Sequence, residues 1–314
     1  MNECYIGIDL GGTRIKMGLV HENRVIARSI IDAESGHGLA ARLPQIKTEM
    51  EDLLRKAGVE ITALKGVGLA FPGLVDVYSS KVLSTNEKYD DAPALDIADW
   101  INQQWGVPFF MDNDARMAAA GEWKYGAATD TDDLVMMTIG TGIGSSVVMQ
   151  GKLMRGKHFQ AGCLGGHISI QYNGKKCTCG NNGCLEAYGS TWGLPEMVKA
   201  APGFSDSLLS HVPRIDFAAL FSAAGENDQL ALRIRDQYLD IWATGVVNLI
   251  HAYDPEVVVL GGGVLESRDI ILPYIREKVG KLAWTPWGKV DIRATELLSD
   301  AGILGVVHCL RYKL

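Results

Sequence analysis

Three groups of residues in this 314-residue chain combine types and spacings that chemistry requires. The first is Asp9-Leu10-Gly11-Gly12-Thr13-Arg14-Ile15-Lys16, which gathers a carboxylate, two glycines, a hydroxyl and two cations at one predicted strand turn. Glycines let backbone approach an anion closely, and successive N–H groups then act as fixed donors. Asp9 at the strand end suits Mg²⁺ held through water, because that ion sheds its hydration shell reluctantly. Arg14 and Lys16 are each placed to neutralise a phosphoryl oxygen. Strand alternation puts both on one face, where either is equally well read as a solvated cation. Gly140-Thr141-Gly142-Ile143-Gly144 and Gly261-Gly262-Gly263 repeat the device. No G-x-x-x-x-G-K-[ST] loop and no G-x-G-x-x-G fingerprint is present, which disfavours P-loop and Rossmann readings. One such turn alone is most simply a hairpin; three in one chain suit a nucleotide.

The second group is Asp112-Asn113-Asp114. An alcohol that takes up a phosphoryl group must give its proton to a base. Asp114 is the candidate base, with Asn113 beside it to hydrogen-bond hydroxyl groups of the acceptor. Asp112 competes for either role, and an aspartate at a helix start is ordinarily an N-cap. The third group is Cys177-x-Cys179-Gly180-x-x-Gly183-Cys184, with His167 ten residues upstream. Three thiols and an imidazole form a structural zinc set, and the glycines let so short a loop wrap one ion. Free thiols in a reactive turn are the alternative. Zinc would fix His167 and the following Glu186 rigidly, as ligand-contacting groups require.

These residues need a scaffold. Tyr5 to Ile8, Ile15 to Val20 and Val25 to Ile31 read as a β meander turning at Gly11-Gly12. A helix is predicted over 39–56, a buried strand over 66–71 broken by Pro72-Gly73, a helix over 97–105 and a short strand at Phe109-Phe110. Asp112 to Asp114 then stand at a strand-to-helix corner before an alanine-rich helix, 115–125. Strands over 134–139 and 143–149 form a second hairpin, an echo of the first that suggests a duplicated fold. The stretch 157–184 reads as loop with one short strand, 167–170. Helices follow over 192–200, 216–224 and 228–252, then a strand over 257–260 and a closing helix over 301–312.

The bulk numbers set limits. A composition 47% hydrophobic and 21% charged is that of an ordinary globular protein, and the length allows two domains. A net charge of −7 and a pI near 5.5 argue against sequence-blind nucleic-acid binding, which needs a basic surface. The apolar run from Leu134 to Met149 is short and broken by glycines, so no membrane span is expected, and no signal-peptide stretch precedes Asp9. A cytoplasmic protein is the expectation. Of six cysteines, Cys4, Cys163 and Cys309 are scattered; the clustered three read as ligands before disulfides.

Taken together, the motifs resemble the ROK family of sugar kinases and repressors, over about Ile6 to the C-terminus. D-x-G-G-T-x-x-K is matched at Asp9 to Lys16, and G-x-G-x-x-x-P-G-x-V-D at Gly66 to Asp76, with Phe71 where many members have alanine. N-D is Asn113-Asp114, G-T-G-x-G is Gly140 to Gly144, and C-x-C-G-x-x-G-C-x-E is Cys177 to Glu186. D-P-E, an apolar strand and G-G-G run from Asp254 to Gly263. The resemblance implies an α/β, actin-like ATPase (ribonuclease H-like) fold with two lobes closing over ATP and sugar. The expected lobes are 1–115, completed by a C-terminal helix 301–314, and 116–300 with a zinc loop 167–184. Asp114 would be the base for ATP-dependent phosphorylation of a hexose primary hydroxyl. Gly73, Asn113, His167 and Glu186 would contact the sugar. Asp9, Gly11, Gly12, Thr13, Lys16, Gly140, Thr141, Gly142, Gly261, Gly262 and Gly263 would hold ATP and Mg²⁺. His167, Cys177, Cys179 and Cys184 would hold Zn²⁺, and a homodimer is implied.

One departure stands out. Family kinases read G-E-x-G-H before the zinc loop, the glutamate contacting the sugar. Here the run is Ala161-Gly162-Cys163-Leu164-Gly165-Gly166-His167, with Leu164 at that position. Losing an ionised acceptor costs on the order of 1.5–3 kcal/mol for the hydroxyl it would bind. A sugar other than glucose, weak catalysis, or a non-catalytic sugar sensor is then expected. Family repressors carry a helix-turn-helix before the first glycine loop, which begins here at Asp9, so a repressor is not expected.

Overall fold

The computed structural model describes residues 3–85 and 87–313; the expected terminal limits, 1 and 314, lie outside these. The chain forms two compact units. One comprises Met1–Asp132, Gly151–Cys163 and Glu296–Leu314, the other Asp133–Gln150 and Leu164–Thr295. Numbered along the chain, the first unit carries β1 (Cys4–Leu10), β2 (Arg14–His21), β3 (Arg24–Asp32), α1 (Leu43–Lys56), β4 (Leu64–Phe71), β5 (Gly73–Asp76), β6 (Lys81–Thr85), α2 (Ile97–Trp105), β7 (Phe109–Asn113), α3 (Asp114–Tyr125), β10 (Lys152–Leu153) and α9 (Ala301–Tyr312). The second carries β8 (Leu134–Ile139), β9 (Ile143–Met149), α4 (Leu185–Gly189), α5 (Leu194–Ala200), α6 (Phe217–Gly225), α7 (Gln229–Tyr253), β11 (Val257–Gly261), α8 (Arg268–Leu282) and β12 (Asp291–Ala294).

In the first unit the sheet order is β3-β2-β1-β4-β7. The meander β1–β2–β3 is antiparallel, while β1, β4 and β7 run parallel. Strands buried on both faces read as continuous apolar runs, and β4 is buried at every position but Lys65. Ile46, Met50, Leu53 and Leu54 of α1 and Ile97 and Ile101 of α2 join the core built on Ile6, Ile8 and Leu10. α9 packs on β1, β4 and α3. Its crossing with α3 is close enough that a Cβ at Gly305 would lie 1.8 Å from the Met117 carbonyl, and one at Gly121 2.1 Å from that of Ala301. Only glycines allow those backbones to meet.

The second unit repeats the succession. β8 and β9 form an antiparallel hairpin, and β8, β11 and β12 run parallel. The sequence echo between 6–20 and 135–149 is therefore a repeat of topology, with each glycine turn joining the hairpin strands of its own sheet. α7 is capped by the Asp228 side chain, which accepts the Ala231 N–H at 2.8 Å. Phe217, Phe221, Tyr238 and Trp242 pack α6 on α7.

Some expectations shift. The helix predicted over 39–56 starts at Leu43, because the Asp91 carboxylate takes the N–H groups of Leu39 and Ala40 and holds that stretch outside the helix. The strand predicted over 167–170 is a single 3₁₀ turn, Gly165–His167, followed by one bridge between Ser169 and Cys184. A boundary at 115/116 separates the first residues of α3 from its body; in the structure all of α3 belongs with the first unit, since its glycine contact is with α9.

Candidate functional site

In the first unit the turn between β1 and β2 is tied down by its carbonyls. Tyr89 donates its hydroxyl to the Gly11 carbonyl at 2.9 Å, and Ser35 donates its hydroxyl to the Gly12 carbonyl at 2.9 Å. The Gly11 N–H closes the turn on the Arg14 carbonyl, while those of Gly12 and Thr13 have no partner among the described residues. Free amides beside satisfied carbonyls make an electropositive concavity of the kind that takes phosphate. Asp9 and Lys16 lie opposite one another across the hairpin, their charged atoms 3.4 Å apart, whereas Arg14 is exposed. Burial raises the Asp9 carboxyl above its ordinary value, and Lys16 opposes that rise.

The corner at β7–α3 separates the two aspartates. Asp112 is fully buried and held by Arg116 and by Arg155 Nε at 3.0 Å. Arg116, itself buried, also donates to the carbonyls of Met154 and Phe159. Asp112 is therefore a structural anion. Asn113 is the N-cap of α3: its oxygen accepts the Arg116 N–H at 3.1 Å, and its amide donates to the Gly73 carbonyl at 3.0 Å and to Asp114 Oδ1 at 3.1 Å. Asp114 also accepts the Ala115 N–H at 2.8 Å but has no cation in hydrogen-bond contact among the described residues. Burial, then the Asp9 charge, push its carboxyl up to about 6, against the pull of the Ala115 N–H and of Lys88. Capping, which a sequence reading sets against catalysis for Asp114, falls to Asn113.

In the second unit the Gly140 carbonyl receives both the N–H and the hydroxyl of Thr191, at 2.9 and 2.8 Å. Glu186, buried at the start of α4, accepts the Ile143 N–H at 2.8 Å. A Cβ at Gly142 would stand 2.4 Å from that carboxylate oxygen, so any larger residue there would have to displace the Glu186 carboxylate. Gly261 ends β11, and Gly262 leads into a 3₁₀ turn that precedes α8. A cavity of about 220 Å³ is lined by Gly140, Thr191, Phe217, Gly263 and Glu266, so the two glycine segments of this unit face one space. Thr141 lines a neighbouring cavity of about 490 Å³ with Trp192 and Ile215.

The ligand atoms of His167, Cys177, Cys179 and Cys184 all lie within 4.8 Å of one another. Cys179 and Cys184 sulfurs are 3.7 Å apart, and Cys177 Sγ is 3.6 Å from His167 Nδ1. Tetrahedral zinc with bonds of about 2.3 Å to sulfur and about 2.0 Å to nitrogen implies separations of about 3.8 Å between sulfurs and about 3.5 Å between sulfur and nitrogen. The donor set fits zinc in both chemistry and spacing. Burial pushes the Cys184 thiol up to about 12, so an ion entering here displaces protons.

The ROK family profile matches residues 5–312. This chain belongs to the ROK family. A glucokinase of Thermotoga maritima is 30% identical over 321 residues, covering 98% of each chain. The ROK family glucokinase of Streptomyces griseus, solved in complex with glucose and AMPPNP, is 28% identical with a TM-score of 0.83, covering 98% of this chain and 99% of that one. A xylose repressor of Bacillus spizizenii is 28% identical over 307 residues, 96% of this chain and 75% of its own length. The fold is the actin-like ATPase fold of ROK sugar kinases. Kinase and repressor relatives stand at similar identity, so ROK membership alone does not separate catalysis from regulation.

Sequence reasoning misses the residues that fasten the ROK motifs: Ser35 and Tyr89 at the first glycine turn, Arg155 at Asp112, and Thr191 at Gly140. None sits in a motif, and each reaches its place through tertiary structure. Leu164, at the departure from the ROK kinase pattern, is 39% exposed and caps the turn that carries His167. No helix among the described residues is long and apolar enough to cross a membrane.

Proposed function

We propose that this protein is an ATP-dependent sugar kinase that phosphorylates the primary hydroxyl of a hexose or hexose derivative. One observation carries the reading: Asp114, hydrogen-bonded to no cation among the described residues, is raised to about 6 by burial and by the charge of Asp9, in the unit that holds the free amides of Gly12 and Thr13. A carboxylate with that affinity is ionised at neutral pH yet basic enough to accept a hydroxyl proton. In the step, the hydroxyl oxygen bonds to the terminal phosphorus, the bond to ADP breaks and the proton passes to Asp114. Asn113 orients that carboxylate and keeps one lone pair for a sugar hydroxyl. Asp9 would hold Mg²⁺ through water, which would supply charge neutralisation at the phosphates. The glycine turns at 11–12, 140–142 and 261–263 would take the nucleotide.

If His167 held zinc through Nδ1, the nitrogen near Cys177 Sγ, its Nε2 would be left for the sugar, and Glu186 would complete that group. Zinc here would be a closed structural ion, fixing the loop. The ROK resemblance further suggests a cytoplasmic homodimer. Leu164 favours a second reading, a non-catalytic sugar sensor. The test is ADP release across hexoses, N-acetylhexosamines and ketoses, with sugar binding measured in parallel by calorimetry. Turnover of one sugar supports the kinase; binding without turnover of any sugar replaces it with the sensor.

A further inference from the structure

Lys88 lies outside every motif, yet its side chain covers the first glycine turn. A Cβ built on Gly12 would lie 2.8 Å from Lys88 Cε and 3.5 Å from its Nζ. The side chain is half-buried, and its ammonium has no hydrogen-bond or ion-pair partner among the described residues. Its charge is felt at Asp114, whose carboxyl it pulls down, but the two groups do not meet. A half-buried ammonium with no anion in contact is open to pairing with an anionic ligand at the turn.

The backbone around it is shaped to put it there. Glu87 and Tyr89, on either side, both take φ of 57°, a left-handed conformation that non-glycine residues seldom adopt. Such strain persists only where surroundings enforce it, and it gathers at functional sites. Here the enforcing contacts are visible. Tyr89 is fully buried, donates its backbone N–H to the Ser35 carbonyl at 2.9 Å, and reaches Gly11 with its hydroxyl. Ser35 in turn holds Gly12. Tyr89 and Ser35 thus turn both glycine carbonyls away, leaving the Gly12 and Thr13 amides and the Lys88 ammonium as the donors at one spot.

Resting on the kinase reading above, we propose that Lys88 is an additional phosphate-contacting catalytic residue: its ammonium binds the terminal phosphates of the nucleotide at the Gly11–Gly12 turn and stabilises the charge on the phosphoryl group in transit. Donors fixed in advance where charge develops are the main source of rate in phosphoryl transfer. Lys16, the cation of the motif, is engaged with Asp9 and does not duplicate this task.

The test compares the full-length protein with Lys88→Met and Lys88→Arg. Binding of AMP, ADP and AMPPNP is measured by calorimetry, and sugar-dependent ADP release by a coupled assay. Lys88→Met is expected to weaken AMPPNP at least about tenfold, leave AMP unchanged and lower kcat about 100-fold, the size of effect that removing one such donor has elsewhere. The KM for sugar should hold, and Lys88→Arg should restore much of the loss. A merely structural role would instead lower Tm and weaken all three nucleotides alike. Unchanged AMPPNP affinity in Lys88→Met overturns the proposal while leaving the kinase reading standing. Wild-type protein that binds AMPPNP through Lys88 but turns over no sugar overturns the kinase reading and the catalytic half of this proposal, leaving Lys88 as a phosphate contact. Failure of the wild type to bind AMPPNP removes both.

Discussion

Asp112 and Arg116 form an ion pair in which both side chains are shut off from solvent, at 0% and 1% exposure. Two residues after Asp112, Asp114 has no such cation among the described residues. The two acids should therefore respond oppositely to the same change. Asp112→Asn leaves Arg116 buried without its counter-charge and should cost about 3–5 kcal/mol of stability. Asp114→Asn should leave the fold intact, lower kcat about 10²- to 10⁴-fold and spare sugar affinity. Urea melts and ADP release on both variants check this; a stable Asp112→Asn with lost turnover would exchange the roles.

The elevated Asp114 carboxyl sets a pH dependence with a definite sign. Its folded value, about 6, is above the ordinary 3.8, so the folded chain binds the proton more tightly than the unfolded chain. Its charged form thus weakens the fold above pH 6, and that penalty fades as pH falls from 6 towards 4. Asp114→Asn should melt higher than wild type near pH 7.5, and the gap should close near pH 4.5. The rate should decline on acidification through about 6, as the base is protonated. Equal melting points at both pH values would refute the assignment.

Zinc analysis of the purified protein should find one ion per chain. Cys184→Ala, at a fully buried ligand, should lower Tm by about 5 °C or more, equivalent to about 2 kcal/mol for a unit of this size, and raise the KM for sugar through His167. Protein free of zinc with unaltered melting would remove the metal from the account.

Leu164→Glu returns an acceptor to a half-exposed position beside the His167 turn. If glucose or mannose is poorly used for want of that acceptor, its kcat/KM should rise about 10- to 150-fold, the range expected for one charged hydrogen bond. Kinetics that do not change would show that Leu164 is not at the sugar.

The parts legible in the sequence are those whose residue types are costly or special. Glycine turns, clustered cysteines and the Asn113-Asp114 pair announce themselves because backbone approach, and the metal ligation and proton transfer proposed for them, admit few substitutes. Choosing between Asp112 and Asp114 is not possible locally, because one of the deciding cations, Arg155, lies 43 residues away in the chain. The β5–β6 hairpin is hidden by Pro72-Gly73, which reads as a break, and α8 by Pro273 inside it. Lys88 carries no local signal at all; the left-handed backbone of its neighbour Tyr89 is held by contacts with Gly11 and Ser35.

The first unit is assembled from three stretches, and its last, from Glu296, includes the helix whose Gly305 seats against Met117. During synthesis every residue of the second unit is joined to the chain before that helix exists. The helix beginning at Asp114 must wait with its glycine flank uncovered, so it is the last piece of the first unit to be secured. Released chains that end before Ala301 should accordingly be protease-sensitive around residues 114–125 while the second unit resists cleavage.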